Sequence, residues 1–349
     1  MPAPSEKITP KSRLRAVLRR EKVDRPPVCC PGGMMNAAIV EIVGNCAATL
    51  PAAHFDAEKM ATLSLAVAEK TGFENIALPF CMTVEPEALG SRIDPGSLAC
   101  EPKVAAEAYQ SCADVPTWNV AELLTRGRVP LILDATRRLA APHGDLPVIV
   151  SISGPVSTAA SVVDPPAYFK ELRKKPAEAR RVTGQVTAFL AAYARAAVQA
   201  GADVIAIGDP SATGDILGPK LFAEFAVPYL RELVEAIHAA GAPAMVHICG
   251  NTDNCRQHWV AIGADAVSVD AMINLAKLKN EFPAAFATMG NLSTFLLEFS
   301  DAEKIAARAR QLVADGIDII APACGLSTST KLAAIRAMTD AVRESAVNN

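Results

Sequence analysis

The chain is poor in histidine, net charge and long apolar runs, and each shortage removes a class of explanation. Its 349 residues carry a formal net charge of -3, and no part is basic enough to suggest a nucleic-acid partner. No apolar run reaches the ~20 residues needed to span a bilayer. The opening MPAPSEKITPKSRLRAVLRREKVDRPP lacks the apolar core of a signal peptide. A soluble, cytoplasmic protein with no membrane partner is therefore expected. No internal repeat, low-complexity tract or linker divides the chain, so residues 1–349 read as one domain. Nine cysteines without a secretion signal point to free thiols or metal ligands, not disulfides. Histidines number only five, which makes the position of each one informative.

What is present is a repeating pattern. Short apolar segments recur at PPVCCPGG (26–33), ENIALPF (74–80), LPVIVSISG (146–154), ADVIAIGDP (202–210), PAMVHICG (243–250), ADAVSVDA (264–271), AFATMGN (285–291) and IDIIAPACG (317–325). Between most of them lie helical patterns, three of which end in a glycine just before the next strand: Gly201, Gly241 and Gly316. Near-continuous apolar strands alternating with helices predict a parallel sheet covered on its outside. Eight of them predict a (β/α)8 TIM barrel, with a doubly wound open sheet as the alternative. Thr9 and Pro10 start a basic helix, PKSRLRAVLRR, read as a solvated outer helix within an N-terminal extension over 1–25. Ser300 and Glu303 have the spacing of a capping box. The irregular, proline-rich stretch 90–145 reads as an insertion after the second strand that folds over the barrel mouth.

Active sites of such barrels lie at the C-terminal strand ends. Those ends are Gly32-Gly33, Cys81, Ser153-Gly154, Asp209, His247 with Cys249, Asp270, Asn291 and Cys324. Residues two apart on a strand share a face, so His247 and Cys249 point the same way. A barrel gathers all its strand ends around one opening, which brings the distant Cys324 within reach. Two thiolates and an imidazole would make a three-ligand zinc site with a vacant fourth position, as in catalytic zinc. Gly250 and Gly325 would let backbone pass close by. The competing reading is that each cysteine is a small buried hydrophobe. Spacing alone leaves both open.

Together, VHICGNT, IIAPACG, LPFCMTVEPEALG, GADVIAIGDP and MGNLST resemble the uroporphyrinogen decarboxylase superfamily. Within it they are most similar to the zinc-dependent corrinoid methyltransferases of the methylcobalamin:coenzyme M type, over nearly the whole chain. The resemblance implies Zn2+ on His247, Cys249 and Cys324, and methyl transfer between a corrinoid, methylcobalamin on a partner protein, and a thiol such as coenzyme M. It makes Gly32, Gly33 and Met34 the candidates for meeting the corrinoid. True decarboxylases grip a carboxylate-rich tetrapyrrole with first-strand arginines, whereas no cation lies between Cys29 and Glu41 here. The glycine-containing first loop suits a less anionic partner.

Three rivals remain at this point. One is the reverse task, methyl transfer from a methoxy-aromatic or alcohol to a corrinoid protein in a demethylase system. Another is a metal-free decarboxylase, and the last a docking subunit with a structural metal. Supporting roles are expected of Asp209 and Asp270, which would orient His247 or bind substrate, unless they merely cap helices. Asn291 would position substrate or close a turn. Glu85 and Glu87 would face the site or solvent. Cys29, Cys30, Cys81, Cys255 and His258 read as structural, and a homodimer is compatible with the chain.

Overall fold

The predicted apolar segments lie side by side. A computed structural model describes residues 8–140 and 144–345. Nine strands occur among them: β1 (Ile76–Leu78), β2 (Arg92–Asp94), β3 (Lys103–Ala106), β4 (Val148–Ser153), β5 (Val204–Gly208), β6 (Ala244–Ile248), β7 (Ala266–Val269), β8 (Ala287–Leu292) and β9 (Ile319–Pro322). Seven form one parallel sheet in the order β1-β4-β5-β6-β7-β8-β9, while β2 and β3 pair as an antiparallel hairpin. The segment predicted as the first strand closes the ring without forming a full strand. Its Val28 bridges Ile320 of β9, and the Val28 carbonyl accepts from the Glu74 backbone N–H at 2.8 Å, just before β1. Asn75 completes the seam through its amide to Cys30, at 2.8 and 2.9 Å. The fold is the expected (β/α)8 barrel.

Strand periodicity sorts side chains into two cores. Ile149, Ala206, Met245, Ala266, Met289 and Ile319 fill the barrel interior. Their neighbours Val150, Ile205, Val246, Val267 and Ile320 face the surrounding helices. Gly201, Gly241 and Gly316 follow their helices at positive φ, as the glycine stops predict.

Two local expectations are corrected. Helix Pro10–Leu18 is capped by Thr9, but it is no solvated outer helix. Leu14, Val17 and Leu18 form a stripe at i, i+3 and i+4 that joins the interior cluster. Its cations reach Asp203, Glu74 and Asp24 around the N-terminal strand ends, so the helix plugs the barrel floor. At the second site Asp301, not Ser300, caps helix Ala302–Ala314 by accepting from the Lys304 N–H. Ser300 instead ends the preceding helix, Thr294–Phe299.

Within 90–145, helix Val129–Ala140 buries Ile132, Thr136 and Leu139 as a regular covering helix. The turn between β2 and β3 is what reaches the C-terminal strand ends. There the Ala99 carbonyl accepts from Thr328 Oγ1 at 3.0 Å, and Glu101 accepts from Asn36.

Candidate functional site

On β6 the alternation that buries Met245 in the barrel interior also turns His247 inward, one layer nearer the mouth. Parallel register sets Gly208 on one side of His247 and Ser268 on the other. The missing side chain at Gly208 leaves room above the core, and Met34 approaches there: a Cβ on Gly208 would lie 3.3 Å from its sulfur. His247 is buried, with its Nδ1 2.9 Å from Ser268 Oγ and its Nε2 3.0 Å from Cys249 Sγ.

Cys324, in the turn after β9, completes the group. One ligand atom from each of His247, Cys249 and Cys324 lies within 4.8 Å of the others. A tetrahedral ion with bonds of about 2.3 Å to sulfur and 2.0–2.1 Å to nitrogen spaces its ligand atoms by roughly 3.5–3.8 Å. The three donors therefore meet the metric for one cation with small side-chain adjustments, and two sulfurs plus one imidazole suit zinc-like ions. The hydrogen bond from Cys249 pulls the Cys324 thiol down against the push of burial, with His247 assisting. The same contact pushes Cys249 up, because one proton is shared. A metal held here would have to displace that shared proton, since both sulfurs ligate as thiolates.

The turns on either side are built for close approach. Gly250 has φ 70°, and a Cβ there would lie 2.9 Å from Thr213 Oγ1. A Cβ on Gly325 would lie 2.5 Å from the Met34 carbonyl, so the first loop closes directly on the Cys324 turn. Gly33 is equally constrained, since a Cβ would run into Ser151 Oγ. Of the first-loop residues, Met34 meets the Cys324 turn at Gly325 and β5 at Gly208, while Gly32 packs on β1 and Gly33 on Ser151 of β4.

The other expected residues behave differently. Asp209 is buried but does not touch the His247 ring. It accepts from Ser157 N at 2.7 Å, Ser157 Oγ at 2.6 Å and Val156 N at 3.2 Å, capping helix Pro155–Ala160. Burial raises its carboxyl to about 6, against those hydrogen bonds. Asp270 holds the turn after Cys249 by accepting from the Gly250 N–H at 3.2 Å, and from Met272 N at 3.3 Å. Asn291 donates to the carbonyls of Asp270 and Ile273 at 3.0 and 2.8 Å, fastening that loop. Glu85 is not a surface carboxylate: it is buried against Ser153 N at 2.9 Å. Glu87 binds Arg128 at 2.6 Å. All nine cysteines are free thiols; Cys29, Cys30, Cys81 and Cys255 are buried, and Cys81 Sγ accepts from Arg128 at 3.4 Å and Thr83 Oγ1 at 3.3 Å. His258 packs against Phe222. Sequence reasoning missed Ser268 as the partner of His247. Its only signal was a lone polar residue amid the apolar AVSV of β7. It also missed Glu101, whose burial beside the mouth depends on how the β2–β3 turn folds back.

The family model described as uroporphyrinogen decarboxylase (URO-D) matches residues 9–345. The chain belongs to that family. Its relatives there include the methylcobamide:CoM methyltransferase MtaA of Methanosarcina barkeri, 34% identical over 95% of this chain and 96% of that protein. The methylcobamide:CoM methyltransferase MtbA of Methanosarcina acetivorans is 33% identical over 96% and 98%. A solved methyltransferase from Methanosarcina mazei superposes with a TM-score of 0.91 at 34% identity, covering 97% of this chain and 99% of that one. Within the uroporphyrinogen decarboxylase family, the chain is a methyltransferase.

Proposed function

We propose that this methyltransferase moves a methyl group between a methylcobamide on a separate corrinoid protein and a thiol activated at zinc, with His247, Cys249 and Cys324 as ligands. The observation that carries this reading is the convergence of those three donors at the open end of the barrel. Support for the thiol and corrinoid partners comes from the relatives, which are methylcobamide:CoM methyltransferases. The absence of any cation between Cys29 and Glu41 argues against a substrate rich in carboxylates. Zinc in this position would offer a vacant fourth site where a thiol loses its proton yet stays nucleophilic at neutral pH.

The chain's own contribution is placement. As thiolates holding the ion, Cys249 and Cys324 would supply two negative charges that offset the dication, so that a bound thiolate would keep its electron density. With Nε2 on the ion, His247 Nδ1 would carry the ring proton and donate a hydrogen bond to Ser268 Oγ, 2.9 Å away, holding that tautomer. Asp270, through the Gly250 N–H, steadies the turn that carries Cys249. The Gly32-Gly33-Met34 loop gives the corrinoid an uncharged, close-fitting approach. In the proposed transfer the thiolate sulfur would attack the methyl carbon of the methylcobamide substrate: the new S–C bond would form as the Co–C bond breaks, its electron pair staying on cobalt and taking Co(III) to Co(I). The thiol proton leaves to solvent. The proposed setting is the cytoplasm, where reducing conditions keep Cys249 and Cys324 as thiols.

The test is substitution of the ligands. Cys249→Ala and Cys324→Ala should each lose bound zinc and methyl transfer from methylcobalamin to thiols while keeping the circular-dichroism spectrum of the parent. A metal-free parent protein with full activity would contradict the proposal.

A further inference from the structure

Beside Cys324 the mouth widens into a groove of about 740 Å³. Its walls are the first loop at Met34, the β2–β3 turn at Glu101, helix Thr294–Phe299, and the turn that begins at Gly325. Gly325 follows a proposed zinc ligand directly, and Met34 lies between the groove and the inner layer at Gly208. The groove therefore adjoins the turn that carries Cys324.

The charge lining the groove is of one sign. Glu298 accepts from Ser329 Oγ at 2.6 Å and Thr330 Oγ1 at 2.7 Å, and these bonds hold it below the usual carboxylate range. Glu101 is held by the Asn36 side-chain amide. Burial pushes the Glu101 carboxyl up to about 7 against that bond. Among the described residues, no lysine, arginine or histidine lines the groove. Lys331 is the cation facing Glu298 from outside, and its ammonium lies 3.6 Å from Glu41. Phe295 and Phe299, with ring centroids 4.6 Å apart, add an exposed apolar wall.

We propose that the thiol accepted here carries no negative charge, and that Glu101 with Glu298 sets this preference. The inference rests on the zinc–thiol reading above and narrows it. Coenzyme M, the thiol in the names of the methyltransferase relatives, bears a sulfonate, which is an anion at any physiological pH. In this groove a sulfonate would lose water, meet two carboxyl groups and find no donor cation. Specificity of this kind comes from repulsion of the wrong ligand as much as from attraction of the right one. A thiol of the same length ending in a hydroxyl escapes that repulsion.

Calorimetry on the zinc-loaded protein tests this with two probes of equal length, 2-mercaptoethanol and 2-mercaptoethanesulfonate. The parent should bind the hydroxyl thiol at least about tenfold more tightly. Glu101→Gln, read beside Glu298→Gln, should shrink that ratio by strengthening sulfonate binding without changing zinc content. Equal or tighter sulfonate binding by the parent would overturn the inference. So would a ratio that neither substitution moves. If neither thiol binds while zinc is present, the thiol reading itself falls, and this inference with it.

Discussion

Ser268 shows what a single residue contributes here. Its hydroxyl meets His247 Nδ1 at 2.9 Å, so Ser268→Ala removes the group that fixes the ring without touching a ligand. Zinc affinity should fall by about 10- to 100-fold, measured by competition with a chromophoric chelator, while thermal stability changes little. Retention of full affinity would show that packing alone orients the ring. That His247, Cys249 and Cys324 come together was legible in the sequence. Period-2 alternation fixes the facing of His247 on β6, and the family motifs single out Cys249 and Cys324. Ser268 was not legible, because its role depends on which residue stands opposite in a parallel register. Asp209 illustrates the same limit from the other side. A strand-end aspartate is recognisable, but the three-dimensional path decides that it caps Pro155–Ala160 instead of meeting His247.

At the scale of elements, that cap is itself a prediction. Asp209→Ala leaves two backbone N–H groups and the Ser157 hydroxyl without their acceptor. It should cost about 1–3 kcal/mol in urea denaturation, with zinc content unchanged. Loss of zinc from the folded variant would mean that Asp209 supports the metal after all. The N-terminal helix supplies a second case. Leu14 is fully buried under the barrel floor, so Leu14→Ala should cost about 2–5 kcal/mol. A solvated outer helix would lose well under 1 kcal/mol. The sequence carries the Leu14, Val17, Leu18 stripe plainly. Its basic residues nonetheless suggested exposure, and only the positions of Asp203, Glu74 and Asp24 show that those charges are answered. The misplaced capping box has a similar cause: adjacent Ser300 and Asp301 both offer an oxygen, and only the chain's path selects between them.

For the whole molecule, the decisive feature is how the barrel closes. Glu74 accepts from Arg13 at 3.0 Å, from Arg25 at 2.6 and 2.7 Å and from the Val28 N–H at 3.1 Å, tying floor helix, closing segment and β1 together. Burial alone would raise this carboxyl, but the Arg25 hydrogen bonds and charge overcome it and hold it below the usual 4.5. A lowered carboxylate gives stability that is present above 4.5 and is lost as pH falls through the folded-state value. The parent should therefore lose thermal stability steeply below about pH 4.5. Glu74→Gln should be less stable at neutral pH and lose less on acidification. Parallel pH profiles for the two would refute this role. Seven of the eight barrel segments and their order were readable from the apolar pattern, whereas this closure joins residues 13, 25, 28 and 74 through a seam with a single β-bridge. On that frame stands the central claim, that three side chains hold zinc with a place left for sulfur. X-ray absorption at the zinc edge, before and after adding 2-mercaptoethanol, tests it most directly. Two sulfur neighbours should become three as the thiol enters. A shell without sulfur, or one unchanged by the thiol, would contradict the account.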